Sequence, residues 1–125
     1  MWNPFKVNSK RNTGDYFEKQ ACRHLKQQGL TLEAKNINFR FGEIDLIMRD
    51  KEQLVFIEVR FRQSNKFGGS AASVDKSKQT KLIKTAQLYL LKHYKNQPPS
   101  CRFDVIAFEG SKDNLKTQWI KNAFY

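Results

Sequence analysis

The sequence has few of the residues that mark several classes of protein. It has two cysteines, Cys22 and Cys101, and no Cys-x-x-Cys or Cys/His spacing, so neither a disulfide framework nor a structural zinc site is indicated. No apolar run exceeds four residues, whereas a helix that crosses a bilayer needs roughly 20, which argues against a membrane span. The first 12 residues lack an apolar stretch of signal-peptide type, so we expect a cytoplasmic protein.

What the chain contains is enough for one folded domain. Of its 125 residues, 39% are hydrophobic and 13% aromatic, which allows a sizeable core. We expect an N-terminal tail over residues 1–12 and a single domain over residues 13–125. Residues 63–74 are rich in Gly, Ser and Asn, a composition typical of a flexible loop.

Acidic residues are scarce, with 12 Asp and Glu against 23 Lys and Arg, a net charge of +11. The excess is concentrated in residues 59–85, where Asp75 is the one acid among seven cations. This imbalance favours a polyanionic partner such as nucleic acid, although a basic surface without a specific partner stays open. The residues that we expect to contact nucleic acid are Arg62, Lys66, Lys76, Lys78 and Lys81.

Hydrophobic periodicity predicts two helices and five strands. The predicted helices cover residues 15–28, ended by Gly29, and 75–97, ended by Pro98; the predicted strands cover 30–41, 44–49, 54–62, 103–108 and 118–120. A strand, a long helix and a strand form a crossover, so the fourth strand should be parallel to the third. We therefore predict an α/β fold in which a central mixed sheet, begun by a three-strand meander, is flanked by helices.

The polar residues 50–53 predict a hairpin between the second and third strands. A loop centred between positions 51 and 52 pairs residues whose numbers sum to 103, which places Asp45 opposite Glu58 and Glu43 opposite Arg60. Like charges directly opposite each other on adjacent strands are destabilising. The pair of Asp45 and Glu58 therefore suggests a function.

Two carboxylates on adjacent strands suit a hard divalent cation, since Mg²⁺ binds oxygen and usually needs one or two carboxylates plus waters. Arg60 lies two residues beyond Glu58 on the same face, where it can hold a phosphate beside such a cation. This arrangement fits phosphodiester hydrolysis. The alternative is a surface ladder, in which Glu43 pairs with Arg60 while Asp45 is solvated or pairs with Arg62.

The two strand segments resemble a known catalytic core. Gly42-Glu43-Ile44-Asp45-Leu46-Ile47 and Val55-Phe56-Ile57-Glu58-Val59-Arg60-Phe61-Arg62 resemble the D…ExK core of the restriction-endonuclease-like PD-(D/E)xK superfamily. More closely, the chain resembles the YraN family of small, largely uncharacterised bacterial proteins. That similarity includes Gly14, Glu18, Ala21, Leu25, Asn36, Lys76, Lys81, Leu82, Ala86, Tyr89, Leu90, Arg102-Phe103-Asp104-Val105 and Ala123-Phe124.

The resemblance implies an endonuclease-like hydrolase that depends on Mg²⁺ or Mn²⁺ and acts on DNA rather than RNA, including branched or recombination intermediates. It implies Asp45 and Glu58 as catalytic metal ligands, with the main chain of Val59 as a further ligand. Arg60 stands where the superfamily has lysine, and arginine stays protonated, so it can grip phosphate but cannot act as a base. A non-catalytic nucleic-acid-binding module of the same fold therefore remains the alternative, and a homodimer is compatible with either.

Two further carboxylates have competing interpretations. Glu18 is a candidate metal ligand by resemblance, but Asp15 and Glu18 also have the spacing of a helix-capping box. Asp104 lies two residues from Arg102 on the fourth strand, and we expect it to pair with that arginine in a structural role.

Overall fold

A computed structural model describes residues 10–63, 73–95, 97–111 and 113–125 of the chain. The elements along the chain are α1 (Lys10–Gln27), β1 (Thr31–Phe39), β2 (Gly42–Asp50), β3 (Gln53–Arg62), α2 (Lys76–His93), β4 (Cys101–Ser111) and β5 (Asn114–Phe124). Most of the predicted loop over residues 63–74, including Lys66, lies outside the described residues. No helix in the described part of the chain is long and apolar enough to cross a membrane.

The strands form one sheet in the order β1-β2-β3-β4-β5. β3 and β4 are parallel, whereas the other three neighbouring pairs are antiparallel. A parallel pair needs a crossover connection, and here α2 provides it. The predicted α/β class, the three-strand meander and the parallel fourth strand are all confirmed.

Each face of the sheet has its own hydrophobic core. On one face α1 packs Phe17, Ala21 and Leu25 against the sheet; on the other α2 packs Leu82, Ala86 and Tyr89. The alternation along β3 explains both cores, because Val55 and Ile57 belong to the α1 side while Phe56 belongs to the α2 side. This face assignment is the one predicted from period-two spacing, and it places Glu58 on the α2 side.

The ends of the helices differ from the prediction at two places. α1 begins at Lys10, before the predicted helix start at residue 15, so Asp15 lies inside the helix and is not an N-cap. α2 ends at His93, before Pro98, because Lys95 takes a left-handed conformation (φ +46°) and donates its amide to the Leu90 carbonyl.

The predicted end of α1 at Gly29 is confirmed, and α2 starts within one residue of the predicted position 75. Gly29 (φ +101°) follows α1, where the amides of Gly29 and Leu30 bond the carbonyls of Lys26 and Leu25 in a Schellman motif. Asp75 is the N-cap of α2, since its side chain accepts a hydrogen bond from the Lys78 amide at 2.8 Å. β5 is longer than the three residues predicted for it.

The alternation of β2 reverses around Asp45. Ile44 and Ile47 both pack on the α2 side although they are three residues apart, while Leu46 packs on the α1 side. On β1 opposite, Asn36 has a φ of +51°. Strict alternation would place Ile44 with Leu46, so the chain is irregular at the position of the candidate ligand.

Candidate active site

The hairpin between β2 and β3 has the predicted register. Its pairs run from Asp50–Gln53 to Leu46–Ile57, each summing to 103. One position further on, the Asp45 Oδ2 atom accepts a hydrogen bond from the Val59 amide nitrogen at 2.8 Å, and Glu58 is close enough to the Asp45 carboxyl group to raise its pKa. The two carboxyl groups therefore interact, as the predicted register implies, although the paired ladder itself ends at Leu46–Ile57.

The contact has a strong electrostatic consequence. Burial, together with the charge of Glu58 and the hydrogen bond to it, raises the pKa of Asp45 to about 8, against the opposing effect of the Val59 amide. Glu58 itself is 7% exposed, so water screens the pair poorly. Without a cation, the neutral form of Asp45 is therefore favoured to a much higher pH than for a free aspartate.

Glu18 belongs to the same acidic neighbourhood. Because α1 starts at Lys10, the capping-box interpretation of Asp15 and Glu18 is wrong. Burial first, and then the charges of Asp45, Asp15 and Glu43, raise the pKa of Glu18 to about 7, while a hydrogen bond with the Asn36 side chain lowers it. Its interaction with Asp45 makes Glu18 a neighbour of the pair.

One of the basic residues predicted to contact phosphate, Lys78, lies beside the pair and is ion-paired with it. Lys78 Nζ lies 3.6 Å from Glu58 Oε2, and its side chain is 42% exposed. Lys76 and Lys81 are exposed on α2, and Arg60 is partly buried on β3. α2 therefore presents positive charge directly next to the carboxylates.

The described carboxylates form a small donor set. Within residues 10–63, 73–95, 97–111 and 113–125, no three or more His, Cys, Asp or Glu side chains are grouped so as to hold a metal ion. Asp45 and Glu58 nevertheless fit Mg²⁺, which commonly takes one or two carboxylates and keeps several waters. The described contact of Val59 uses its amide nitrogen, so its carbonyl as a ligand remains a prediction.

Asp104 has the structural role that was expected. Its Oδ1 atom accepts hydrogen bonds from Arg102 Nε at 3.0 Å and from the Asn122 amide at 2.9 Å, and its Oδ2 atom accepts one from Trp119 Nε1 at 2.9 Å. Asn122 has a φ of +56° where the β4–β5 register shifts. Asp104 therefore holds an irregular edge of the sheet and lies outside the acidic pair.

Sequence reasoning missed two features near the site. A groove of about 710 Å³ lies between α1 and β1 next to Glu18, and a second groove, of about 620 Å³, lies between the β1–β2 turn and α2. No sequence motif predicts either groove, because the residues that line each one come from elements that are brought together only by folding. The Arg40-Phe41 turn was the one available signal, since an arginine and a phenylalanine are unusual turn residues.

A five-stranded mixed sheet between two helices, with adjoining carboxylates on its central hairpin, places the protein in the class of restriction-endonuclease-like folds. The model of Uncharacterised protein family UPF0102 matches residues 17–108, and the chain belongs to this family.

Relatives resemble the chain over nearly its whole length. A UPF0102 protein of Enterobacter sp. (strain 638) is 51% identical over 117 residues, which cover 93% of this chain and 86% of the relative. One from Alcanivorax borkumensis is 48% identical over 120 residues, covering 95% and 96%. The UPF0102 protein YraN of Escherichia fergusonii is 50% identical over 115 residues, covering 91% and 85%.

Proposed function

We propose that this protein is a nuclease that uses Mg²⁺ or Mn²⁺ to hydrolyse phosphodiester bonds in DNA. The observation that carries the proposal is the interaction between the buried carboxyl group of Glu58 and the half-buried carboxyl group of Asp45 on adjacent strands. A structural ladder would be expected to pair each acid with a base; Glu58 has such a partner in Lys78, yet Asp45 interacts with a second acid. A divalent cation between the two would offset this repulsion.

In this proposal Asp45 and Glu58 hold the cation, and the Val59 main chain and Glu18 are the further candidate ligands. When bound, the cation supplies charge stabilisation at phosphorus and activation of the attacking water. The guanidinium group of Arg60 can donate two hydrogen bonds to a phosphate. It cannot remove a proton, so any proton must pass to another group.

The basic side chains on α2 and at the end of β3 support a DNA substrate. Lys76, Lys78, Lys81 and Arg62 follow the site along the chain on both sides of the 63–74 segment. Phosphate contacts of this kind bind without sequence preference, which suits recognition of branched or recombination intermediates by shape. A chain with one such site would cut both strands of a duplex most simply as a homodimer.

The decisive test is cleavage of a DNA panel: single-stranded, duplex, flap and four-way-junction substrates with Mg²⁺, Mn²⁺ or EDTA. We expect metal-dependent cleavage by the wild type, its loss in Asp45→Asn and Glu58→Gln, and its retention in Glu52→Gln, a matched change on the exposed β2–β3 turn. Cleavage that persists in Asp45→Asn would contradict the proposal.

A second candidate is a non-catalytic DNA-binding module, favoured by arginine at position 60. It predicts salt-sensitive binding without cleavage on any substrate. Arg60→Lys separates the two candidates: if the arginine limits an active site, lysine should increase the cleavage rate, whereas a binding module should stay inactive.

A further inference from the structure

The groove between the β1–β2 turn and α2 has the composition of a nucleic-acid contact. Its volume is about 620 Å³, and it is lined by Arg40, Phe41, Ser77, Thr80, Lys81 and Lys84. Three of these six residues are cations and none is acidic. A concave surface with charge of one sign attracts a polyanion.

Phe41 is the unexpected member of this groove. Its side chain is 40% exposed, although it lies in a tight turn closed by the Phe39–Gly42 pair, where local structure favours Gly, Asn or Asp. The turn therefore does not explain an aromatic residue. Burial does not explain it either, since Phe41 belongs to neither hydrophobic core.

Two cations cover the Phe41 ring. The Arg40 guanidinium carbon and the Lys84 Nζ atom each lie 5.3 Å from its centroid. Cation–π contacts at exposed sites are weak, about 2- to 5-fold in an equilibrium constant, whereas stacking of a nucleic-acid base on an aromatic ring contributes about 5- to 150-fold. A base can therefore displace either cation, which is then free to pair with a phosphate.

A row of lysines on α2 leads from the groove towards the acidic pair. Lys78, which contacts Glu58, is followed at intervals of three residues by Lys81 and Lys84, so the three lysines form one stripe on the helix. On the strand side, Phe41 is four residues from Asp45. A single strand bound in the groove would thus follow the lysine stripe to the carboxylates.

We propose that this groove binds single-stranded DNA, with an unpaired base stacked on Phe41 and backbone phosphates on Arg40, Lys81 and Lys84. The inference rests on the proposed function and names its substrate class, which is DNA with an unpaired segment beside the bond that is cut. A base inside a duplex is already stacked on its neighbours and cannot use the ring.

The test measures binding in EDTA, so that it does not depend on cleavage. Fluorescence anisotropy would compare labelled oligothymidylate with a blunt duplex of equal length for the wild type and for Phe41→Ala, Phe41→Leu and Phe41→Trp. We expect Phe41→Ala and Phe41→Leu to lower the affinity for the single strand by about 5- to 150-fold and the affinity for the duplex by less than about 3-fold. Phe41→Trp should retain the single-strand affinity, because tryptophan also stacks on a base. Leu91→Ala, at a residue 69% exposed near the other end of α2, is the matched control.

The outcomes separate the two proposals. If Phe41→Ala leaves the single-strand affinity unchanged, or weakens both substrates equally, the stacking site is wrong, whether or not the wild type cleaves DNA. If Phe41→Leu binds like the wild type, the contact is merely apolar and the stacking site is again wrong. If single-strand binding depends on the ring while no substrate is cleaved, the stacking site stands and the nuclease proposal fails.

Discussion

The Asp45 carboxylate accepts a hydrogen bond from the amide nitrogen of Val59 at 2.8 Å, the residue directly after the glutamate whose charge raises the pKa of Asp45. β3 therefore holds Asp45 in place with its main chain while the Glu58 side chain makes ionisation of Asp45 costly. This combination fixes two carboxyl groups together before any cation binds. It also makes the stability of the metal-free protein depend on pH.

Asp45→Asn should stabilise the metal-free protein at alkaline pH. The pKa of Asp45 is about 8 in the folded protein and about 3.9 in an unfolded chain, so the unfolded state loses a proton that the folded state keeps. Wild-type stability therefore falls as pH rises from about 4 to about 8. Asparagine can still accept the Val59 hydrogen bond, so we expect a gain on the order of 1–3 kcal/mol above about pH 8.

Urea unfolding in EDTA across this pH range measures the effect. The difference between Asp45→Asn and the wild type should disappear below about pH 3, where Asp45 is protonated in both the folded and the unfolded state. Added Mg²⁺ should raise the stability of the wild type more than that of the variant. A loss of stability in Asp45→Asn at every pH would instead support a structural ladder.

Glu33→Gln should weaken the packing of α2 in a pH-dependent manner. Burial raises the pKa of Glu33, but hydrogen bonds from Tyr89 (2.6 Å) and Tyr94 (2.7 Å), together with the charge of Arg49, outweigh it and hold the pKa below its ordinary value. The stabilisation is thus present above the unfolded pKa and lost as pH falls through the folded one.

We expect Glu33→Gln to lose about 1–2 kcal/mol at neutral pH. The loss should shrink as pH falls below the ordinary glutamate pKa and then through the lower folded pKa of Glu33, because the wild-type carboxylate is then protonated as well. Chemical denaturation at neutral and at acidic pH, with Glu52→Gln as an exposed control, checks the prediction. An equal loss at both values would show that shape rather than charge holds the cluster.

Asp104→Ala should be among the most destabilising single changes. It removes the acceptor of Arg102, Trp119 and the Asn122 amide from a fully buried position, and it leaves the Arg102 guanidinium paired only with Asp50 and Gln53. Breaking a buried ion pair by removing one partner typically costs about 3–5 kcal/mol.

The cost of Asp104→Ala is measured by urea unfolding, with Asp113→Ala on the exposed β4–β5 turn as the matched change. DNA affinity of the folded fraction should stay within about 2-fold of the wild type, because the side chain of Asp104 holds the β5 edge rather than the acidic pair. A large drop in DNA affinity in a fully folded variant would place Asp104 in the binding site.

Lys81→Gln should weaken DNA binding and reduce its dependence on salt. Removing one cation that neutralises a phosphate should lower the slope of log K against log salt concentration by about 0.9 for duplex DNA. Lys51→Gln, on the β2–β3 turn at the opposite end of these strands from the acidic pair, should leave the slope unchanged. Anisotropy titrations over a salt series measure both slopes, and equal slopes in the two variants would remove Lys81 from the interface.

Much of the acidic pair could be predicted because its cause is local. The polar turn between β2 and β3 sets the pairing sum, and the period of two then assigns each side chain to a face, so the meeting of Asp45 and Glu58 follows from residue numbers. The helix stop at Gly29 could be predicted for the same reason, since a left-handed residue after a helix favours glycine.

Two helix ends and the contacts between residues distant in the sequence could not be predicted from residue type and spacing. No hydrophobic periodicity indicates that α1 starts at Lys10. Lys95 ends α2 in a left-handed conformation, which is uncommon for lysine and so is not predicted from its residue type. The reversal at Asp45, the approach of Glu18 and the groove at Phe41 depend on how the helices pack on the sheet. Residue type and spacing specify the hydrogen bonding and the hydrophobic period along one helix or strand. The burial and the neighbouring charges that raise the pKa values of Asp45 and Glu18 arise only when several elements pack together and exclude water.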